Sequence, residues 1–164
     1  MLETSYPFVP KRSKDLEPGH YFVFPFGPDP QLYGCAVVLE GGPLPRFRTA
    51  FITVLMDLAC KKPPTNEQVN GAQPTDAWGH ADYRLIEASG ALVQGRRDLS
   101  IYPLEVEDKV THRFGGTVWI VNGLERVRPA SPEEAASLPV LPGFGLYALV
   151  AKAENRWSNP EVVQ

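Results

Sequence analysis

The sequence has very little of the residue types that build metal centres and disulfide frameworks. It contains two cysteines and three histidines among 164 residues. Cys35 and Cys60 both lie in strongly apolar stretches, which is typical of small buried side chains in a reducing compartment. We therefore expect both thiols to be buried, reduced and chemically inert, and a disulfide between them stays open as an alternative.

Long hydrophobic runs are also missing. No apolar stretch approaches the ~20 residues that span a bilayer. Residues 1–7 lack the charged leader and the apolar run of a secretory signal peptide. These observations predict a cytoplasmic protein with no membrane association. The length is close to the usual size of one domain, so we expect residues 1–164 to form a single domain.

Positive charge is neither abundant nor clustered. The formal net charge is −3, and the arginines are dispersed along the chain. A nucleic-acid-binding protein normally carries a basic stripe, because neutralising phosphates supplies much of the affinity. The sequence therefore predicts that nucleic acid is not a partner.

Proline, in contrast, is abundant. The chain has 17 prolines, about twice the average usage of roughly 5%. Proline is excluded from helix interiors and central strands, so this excess favours many short elements joined by turns. The expected fold is mainly β (α+β at most). We expect a curled antiparallel sheet or a partly open barrel with one short helix.

Alternating apolar residues predict three strands in the first part of the chain. Residues 21–26 place three phenylalanines on one face, and Pro25 predicts that this strand lies at a sheet edge or ends there. Residues 32–39 are apolar on both faces, which is typical of a central strand. Residues 49–58 alternate and are rich in β-branched side chains, which favours a strand over a helix.

The strongest hairpin signal is Asn122-Gly123, between predicted strands at 117–121 and 124–128. Counting outward from a two-residue turn pairs Val121 with Leu124 and Trp119 with Arg126. The second pair is expected to form a cross-strand cation–π contact.

Punctuating residues predict the remaining elements. Ser131-Pro132-Glu133-Glu134 is a capping box with proline at the first helical position, and Pro139 ends this helix within about two turns. The other predicted strands are 83–87 and 92–94, joined at Ser89-Gly90, followed by 99–106 and 145–151.

Two segments lack a periodic apolar face. Residues 1–18 are expected to be an irregular lead-in, and residues 61–80 a long loop with one helical turn near 66–69. Loops of this length within a compact domain are often functional. Trp78 lies in this polar segment, so we expect it either to fill the core or to anchor a partner.

Acidic residues are the second candidate for a binding surface. The run at 105–108 is either a solvated strand end or an acidic face that meets a partner. The predicted binding residues are Trp78, Asp76, Glu105, Glu107 and Asp108.

Catalytic motifs are not found in the sequence. It has no Gly-x-Ser-x-Gly elbow and no Gly-x-x-x-x-Gly-Lys loop. His20, His80 and His112 are separated by 60 and 32 residues, so no two share the spacing that places ligands on one element. We therefore predict no catalytic residues and no cofactor. The alternative is a metal site that gathers these three histidines from afar.

The segments 17–26 and 32–39 resemble the opening of the immunity protein 26 family, which is also catalogued with a small phosphotriesterase. His20 and Cys35 stand where the family commonly has an acidic residue and an arginine. The stretch from Trp119 to Gly123 is similar to a tryptophan-bearing strand of the family. The matching positions in the opening are Gly19, Phe22, Pro25, Phe26, Tyr33, Gly34, Val37 and Leu39.

This resemblance implies a β-rich, cytoplasmic bacterial protein that neutralises a partner toxin. We therefore expect an immunity-type binding protein that acts by occluding a protein partner, which the resemblance implies is a toxin domain. The alternative is a small metal-assisted hydrolase that acts on phosphotriesters. The identity of the partner and the oligomeric state stay open at this point.

Overall fold

The computed structural model describes residues 4–28, 31–41, 49–99 and 110–157, and it confirms the mainly β fold. Strands account for 45% and helices for 22% of the described residues, and this helix content is below the average of about 30–35%. The strands form a six-stranded mixed sheet and a three-stranded sheet. Over the described residues neither sheet closes into a barrel, so the open sheet is the architecture observed.

The six-stranded sheet, called here the main sheet, contains most of the first two thirds of the described chain. Its strands are β1 (His20–Phe26), β2 (Leu32–Glu40), β3 (Ala50–Cys60), β4 (Pro74–Asp82), β5 (Leu92–Arg96) and, from later in the chain, β9 (Gly143–Phe144). Their order is β5-β1-β2-β3-β4-β9. The pairings are antiparallel except for β9, which runs parallel to β4.

The three-stranded sheet, called here the small sheet, is antiparallel. It consists of β6 (Val110–Phe114), β7 (Thr117–Asn122) and β8 (Glu125–Pro129), in that order. The helices are α1 (Asn66–Gly71), α2 (Arg84–Ala88), α3 (Pro132–Ser137) and α4 (Ala148–Arg156), and a 3-10 turn spans Ser13–Asp15.

The main sheet is buried on both faces, which explains why β2 is apolar on both sides. On one face, Phe22, Phe24 and Phe51 pack with Leu85 of α2, Leu149 of α4 and Trp157, which directly follows α4. The other face carries a second cluster of buried side chains, which includes Val69 from α1. Its members from the sheet are Tyr21, Val23, Cys35, Val37, Val54, Met56, Leu58 and Cys60.

The three predicted strands of the first part of the chain are confirmed as β1, β2 and β3. β5 pairs with His20–Val23 only. Among the described residues, Pro25 therefore has a partner strand on one side, β2. The predicted helix is confirmed as α3, where the Ser131 side chain accepts a hydrogen bond from the Glu134 backbone at 3.2 Å.

The predicted long loop at 61–80 is wrong. The segment contains α1, near the expected helical turn, and most of β4. β4 has no periodic apolar face that would mark it as a strand in the sequence. It pairs with β3 along its length and meets β9 only at His80 and Ala81. Its backbone hydrogen bonds therefore hold a strand whose side chains are mostly half-buried.

Two other predicted strands are helices. Residues 83–87 overlap α2, and residues 145–151 overlap the start of α4. In α4 the buried side chains Leu149 and Ala153 are followed by Trp157, a spacing of four that is typical of one helix face. The predicted strand at 99–106, together with Glu105, Glu107 and Asp108, lies almost entirely outside the described residues.

The hairpin around Asn122-Gly123 is confirmed, but its predicted register is wrong. Asn122 pairs with Glu125 and Val121 pairs with Arg126, so Gly123 and Leu124 are the turn residues. Gly123 has a φ of +57°, a conformation that favours glycine. The shifted register puts Arg126 diagonal to Trp119 on the same face, and the guanidinium carbon lies 5.1 Å from the ring centroid. The predicted cation–π contact is therefore present.

Truncation of Phe51 tests the main core. Its side chain is fully buried, and its ring lies 6.2 Å from that of Phe22. We expect Phe51→Ala to lower the free energy of unfolding by about 3–5 kcal/mol, because the buried apolar surface of the ring is lost and a cavity is left in its place. Urea unfolding followed by circular dichroism measures this change. Val127→Ala is the control, since Val127 is 58% exposed, and a loss there as large as for Phe51 would contradict the packing described.

Candidate functional site

The candidate site lies where the small sheet packs against the main sheet, and we call it the sheet junction. Trp78 and His80 lie two residues apart on β4, so their side chains are on the same face of the strand. In the small sheet, His112 pairs with Trp119, and Val110 pairs with Val121 on the same face. Val110, Val121 and Leu141 form a buried cluster against which both tryptophans pack. The junction therefore brings aromatic and imidazole side chains together from two sheets.

A short segment, residues 139–144, holds the two sheets together through its backbone, and we call it the linking segment. On one side, Thr111 donates its N–H to Pro139 at 2.9 Å and accepts from Leu141 at 2.8 Å. On the other side, His80 donates its N–H to Pro142 at 2.9 Å. The linking segment therefore runs between β6 and β4 and fixes their relative position.

Gly79 and Gly143 give the linking segment room. A Cβ atom at residue 79 would lie 2.5 Å from the carbonyl oxygen of Pro142, and one at residue 143 would lie 3.1 Å from Nε2 of His80. The first distance is a clash with backbone. Close approach, rather than an unusual φ, therefore requires glycine at position 79.

The turn between β7 and β8 docks on the main sheet through Glu40. A carboxylate oxygen of Glu40 accepts the N–H of Leu124 at 3.4 Å, and the turn glycine, Gly123, lies directly against the same carboxylate. Burial raises the pKa of Glu40, while the Leu124 hydrogen bond acts in the opposite direction. Glu40 thus anchors the small sheet at a second point, at the end of β2.

Two histidines meet at the junction although they are far apart in sequence. The rings of His80 and His112 have centroids 4.9 Å apart and an interplanar angle of 76°. Burial lowers the pKa of His80, and the neighbouring His112 lowers it further. Burial also lowers the pKa of His112. Both pKa shifts favour the neutral form of the two imidazoles.

Both tryptophans at the junction are half-buried. Trp78 pairs with Val54 on β3 and packs against the second main-sheet cluster as well as the junction cluster. Trp119 carries Arg126 over its ring. These side chains are held by strands rather than by a loop. The expected loop position of Trp78 is therefore wrong, and its role as a binding anchor stays a prediction.

The other predicted binding residues do not join Trp78. Asp76 is exposed and lines a groove of about 250 Å³ between β4 and α4, with Lys152 and Arg156 on the opposite side. No motif in the sequence marks this groove. Glu105, Glu107 and Asp108 lie outside the described residues.

His20 does not join the other two histidines. It lies on β1, three strands away from β4 in the sheet order, and packs against the rings of Tyr6 and Phe8 with centroids 5.7 and 5.6 Å away. Its Nδ1 accepts the N–H of Glu17 at 3.0 Å. The predicted alternative of one metal site from all three histidines is therefore wrong in its third member. Sequence reasoning missed the His80–His112 pair because long-range packing creates it.

The cysteines match their prediction. Cys35 and Cys60 are both free and buried. Burial strongly raises the pKa of the Cys35 thiol, partly offset by the charge of Arg97. A thiol in this state is a poor nucleophile.

Comparison with known proteins finds no matching family, no matching curated protein and no matching solved structure. The resemblance to immunity protein 26 therefore rests on the motif quoted above. Within residues 4–28, 31–41, 49–99 and 110–157, no helix is long and apolar enough to cross a membrane. The same described ranges contain no group of three or more His, Cys, Asp or Glu side chains that could hold a metal ion.

The close approach at Gly79 predicts that a larger side chain at this position lowers the stability of the protein. We expect Gly79→Ala to destabilise the protein by about 1–3 kcal/mol, because the added methyl group meets the Pro142 backbone. Amide exchange at His80, which donates to Pro142, should accelerate in this variant. The control is Gly71→Ala at the end of α1, where a Cβ meets nothing within 4 Å. Equal stabilities of the two variants would show that the linking segment is not held as described.

His20 predicts a pH dependence of stability. Its side chain is 1% exposed, and burial lowers its pKa from 6.5. Below about pH 6.5 the unfolded chain takes up a proton that the folded chain resists, so stability falls as pH falls, by at most about 1.4 kcal/mol per pH unit. His20→Gln should remove this part of the slope, measured by urea unfolding between pH 8 and pH 5. An unchanged slope would mean that His20 titrates normally in the folded state.

Proposed function

We propose that this protein is an immunity-type binding protein that neutralises a partner toxin by covering part of its surface. The observation that carries the proposal is the sheet junction, where half-buried tryptophans from two sheets pack against one cluster and Arg126 covers the Trp119 ring. Tryptophan and arginine are the side chains that most often dominate protein–protein affinity. The resemblance in segments 17–26 and 32–39 supports the immunity type.

The rigidity of the junction supports a binding role. Arg126 already rests on the Trp119 ring, with the guanidinium carbon 5.1 Å from its centroid. Ordering a long side chain on binding costs about 0.5–1.5 kcal/mol, and much of this cost is avoided when the side chain is held beforehand. The Trp78 side chain is also held beforehand, by packing against the second main-sheet cluster and the junction cluster.

The charge of the small sheet indicates which partner surface it fits. Residues 110–129 contain Arg113, Arg126 and Arg128 but a single acidic residue, Glu125, and Arg128 is ion-paired with Glu134 of α3 at 2.6 Å. With Arg128 neutralised in this way, Arg113 and Arg126 still outnumber Glu125, so the sheet is slightly basic although the whole chain has a net charge of −3. Complementary potentials favour correct association, so the partner surface that meets this sheet is acidic.

The hydrolase alternative receives less support. A phosphotriester hydrolase of the expected type needs an activated water and a charge stabiliser, normally metal ions with several clustered ligands. Two of the three proposed histidines meet, but His20 lies elsewhere. In a direct assay, protein loaded with zinc, cobalt or manganese is expected to hydrolyse an activated phosphotriester no faster than the metal alone.

Affinity capture with matched variants tests the binding function. The wild-type protein is expected to recover a single stoichiometric partner from native lysate. Arg126→Ala should weaken its affinity at least tenfold, because the arginine that covers the Trp119 ring is lost from the proposed binding surface. Binding of the purified partner by isothermal titration calorimetry measures the change. Expression of the partner alone in bacteria should arrest growth, and co-expression of this protein with the partner should restore growth.

Arg156→Ala is the matched control. Arg156 also lies over a tryptophan ring, that of Trp157, at 5.6 Å, but it belongs to α4 on the other face of the main sheet. Its removal should leave affinity unchanged. Equal losses for both arginine variants would move the binding surface away from the junction. A partner whose expression does not affect growth would contradict the toxin-neutralising function.

A further inference from the structure

His20 is a fully buried histidine whose ring is hydrogen-bonded through one nitrogen. Its side chain on β1 is 1% exposed, and its Nδ1 accepts the backbone N–H of Glu17 at 3.0 Å. Since Nδ1 is the acceptor, the neutral ring carries its hydrogen on Nε2. Within the described part of the chain, Nε2 has no hydrogen-bond partner. A buried donor in this state is uncommon, and it makes the ring sensitive to what covers it.

The cover is a short stretch near the start of the described chain, residues 6–8, which we call the strap. The half-buried rings of Tyr6 and Phe8 lie 5.7 and 5.6 Å from the His20 ring, at interplanar angles of 83° and 74°. Phe8 also exchanges two backbone hydrogen bonds with Val93 of β5, at 3.1 and 2.9 Å. β5 is the outermost strand of the main sheet. The strap therefore covers both the buried imidazole and this edge of the sheet.

We propose that the strap is a pH-sensitive cover, which is closed over the neutral His20 ring and opens when this ring takes up a proton, so that the edge of β5 is exposed. The inference does not depend on the binding function proposed above, because the strap and the sheet junction are formed by different residues.

Protonation would disturb the closed state at Nδ1. The imidazolium carries a hydrogen on both ring nitrogens. Nδ1 would then point a donor at the N–H of Glu17, and the hydrogen bond between them would be lost. The new charge would also be buried without an acceptor, which is costly. Opening of the strap removes both costs, because water can then accept hydrogen bonds from the ring.

The charged groups on the elements around His20 are paired with one another. Arg96, which lies opposite His20 on β5, forms an ion pair with Glu17. In the 3-10 turn before β1, the carboxylate of Asp15 accepts hydrogen bonds from the Arg12 guanidinium. The other neighbours are uncharged at neutral pH, and they are Tyr6 and Phe8 of the strap and Val37 and Val38 of β2.

Arg97, which follows β5, opposes protonation of the histidine because it is itself a cation. Its backbone N–H donates to Gly19, and its guanidinium bonds to Met56 and Ala72, which belong to the second main-sheet cluster. In the closed state burial lowers the pKa of His20 from 6.5. In the open state the hydrated ring regains its ordinary pKa. The equilibrium constant for opening therefore rises as pH falls below about 6.5, by at most about tenfold per pH unit.

Opening of the strap is expected to be local. Two backbone hydrogen bonds and two half-buried rings hold the strap, whereas the centre of the main sheet is held by strands on both sides. Segments with few buried contacts open at a lower free energy than the core. The opened protein keeps its sheet but presents the backbone N–H and C=O of Val93 at a free edge. Such an edge can pair with an extended chain.

Amide hydrogen exchange on the full chain between pH 8 and pH 5 tests the proposal. The reporters are the N–H groups of Phe8 and Val93, which donate to each other's carbonyl groups. Their protection factors, corrected for the intrinsic pH dependence of exchange, should fall about tenfold between pH 7 and pH 5. Amides that bond β2 to β3 should fall less, because the sheet itself stays formed.

Two variants identify the group that titrates. His20→Asn keeps an acceptor near the position of Nδ1 but takes up no proton, so protection of Phe8 and Val93 should no longer depend on pH. Glu17→Gln is the matched control, since it keeps the backbone donor to Nδ1 and removes the neighbouring carboxylate, and it should behave like wild type.

Three results would overturn the proposal. In the wild-type protein these are protection at the strap that does not change with pH, or a loss that is equal at the strap and between β2 and β3. The third is a pH dependence in His20→Asn that matches wild type. The first two results need no variant, so the test holds even if a substitution at the buried position 20 impairs folding.

Discussion

The backbone hydrogen bonds of the linking segment are the constraint on which the rest of the junction depends. Thr111 on β6 bonds to Pro139 and Leu141, while His80 on β4 bonds to Pro142. A side-chain contact can rotate away, but a segment bonded by its backbone on both sides fixes the spacing of the two strands. The half-buried positions of Trp78 and His112 follow from that spacing. The same constraint requires glycine at position 79, because the segment passes too close for any Cβ atom there.

Burial of the main sheet on both faces explains how it can support the small sheet. Helices α2 and α4 cover one face of the main sheet, and α1 and the small sheet contribute to covering the other. The small sheet has little core of its own, since Val110, Val121 and Leu141 are its only cluster among the described residues. A three-stranded sheet is marginal unless it packs against another element. Its stability therefore comes from docking, at the linking segment and at Glu40.

The parts of the fold that the sequence predicts are those set by local chemistry. Alternation identified β1, β2 and β3, and the capping box identified α3. β4 could not be found in this way, because its strand is held by backbone pairing and its side chains show no apolar period. In α4 a signal was present, since Leu149, Ala153 and Trp157 recur every four residues, but the first of them also fitted a short strand. At the site, the Trp119–Arg126 contact was predictable because one turn joins its strands. The His80–His112 pair was not, because it depends on how two sheets pack.

The proposed binding surface lies on a part of the small sheet that is held in place before any partner arrives. Trp119 packs against the buried cluster of the junction, and Arg126 covers its ring. The linking segment bonds to β6 at Thr111, and β6 pairs with β7, the strand that carries Trp119. Backbone hydrogen bonds therefore set the position of the tryptophan, whereas a loop would leave it free to move. A partner that binds here would lose little affinity to the ordering of this surface.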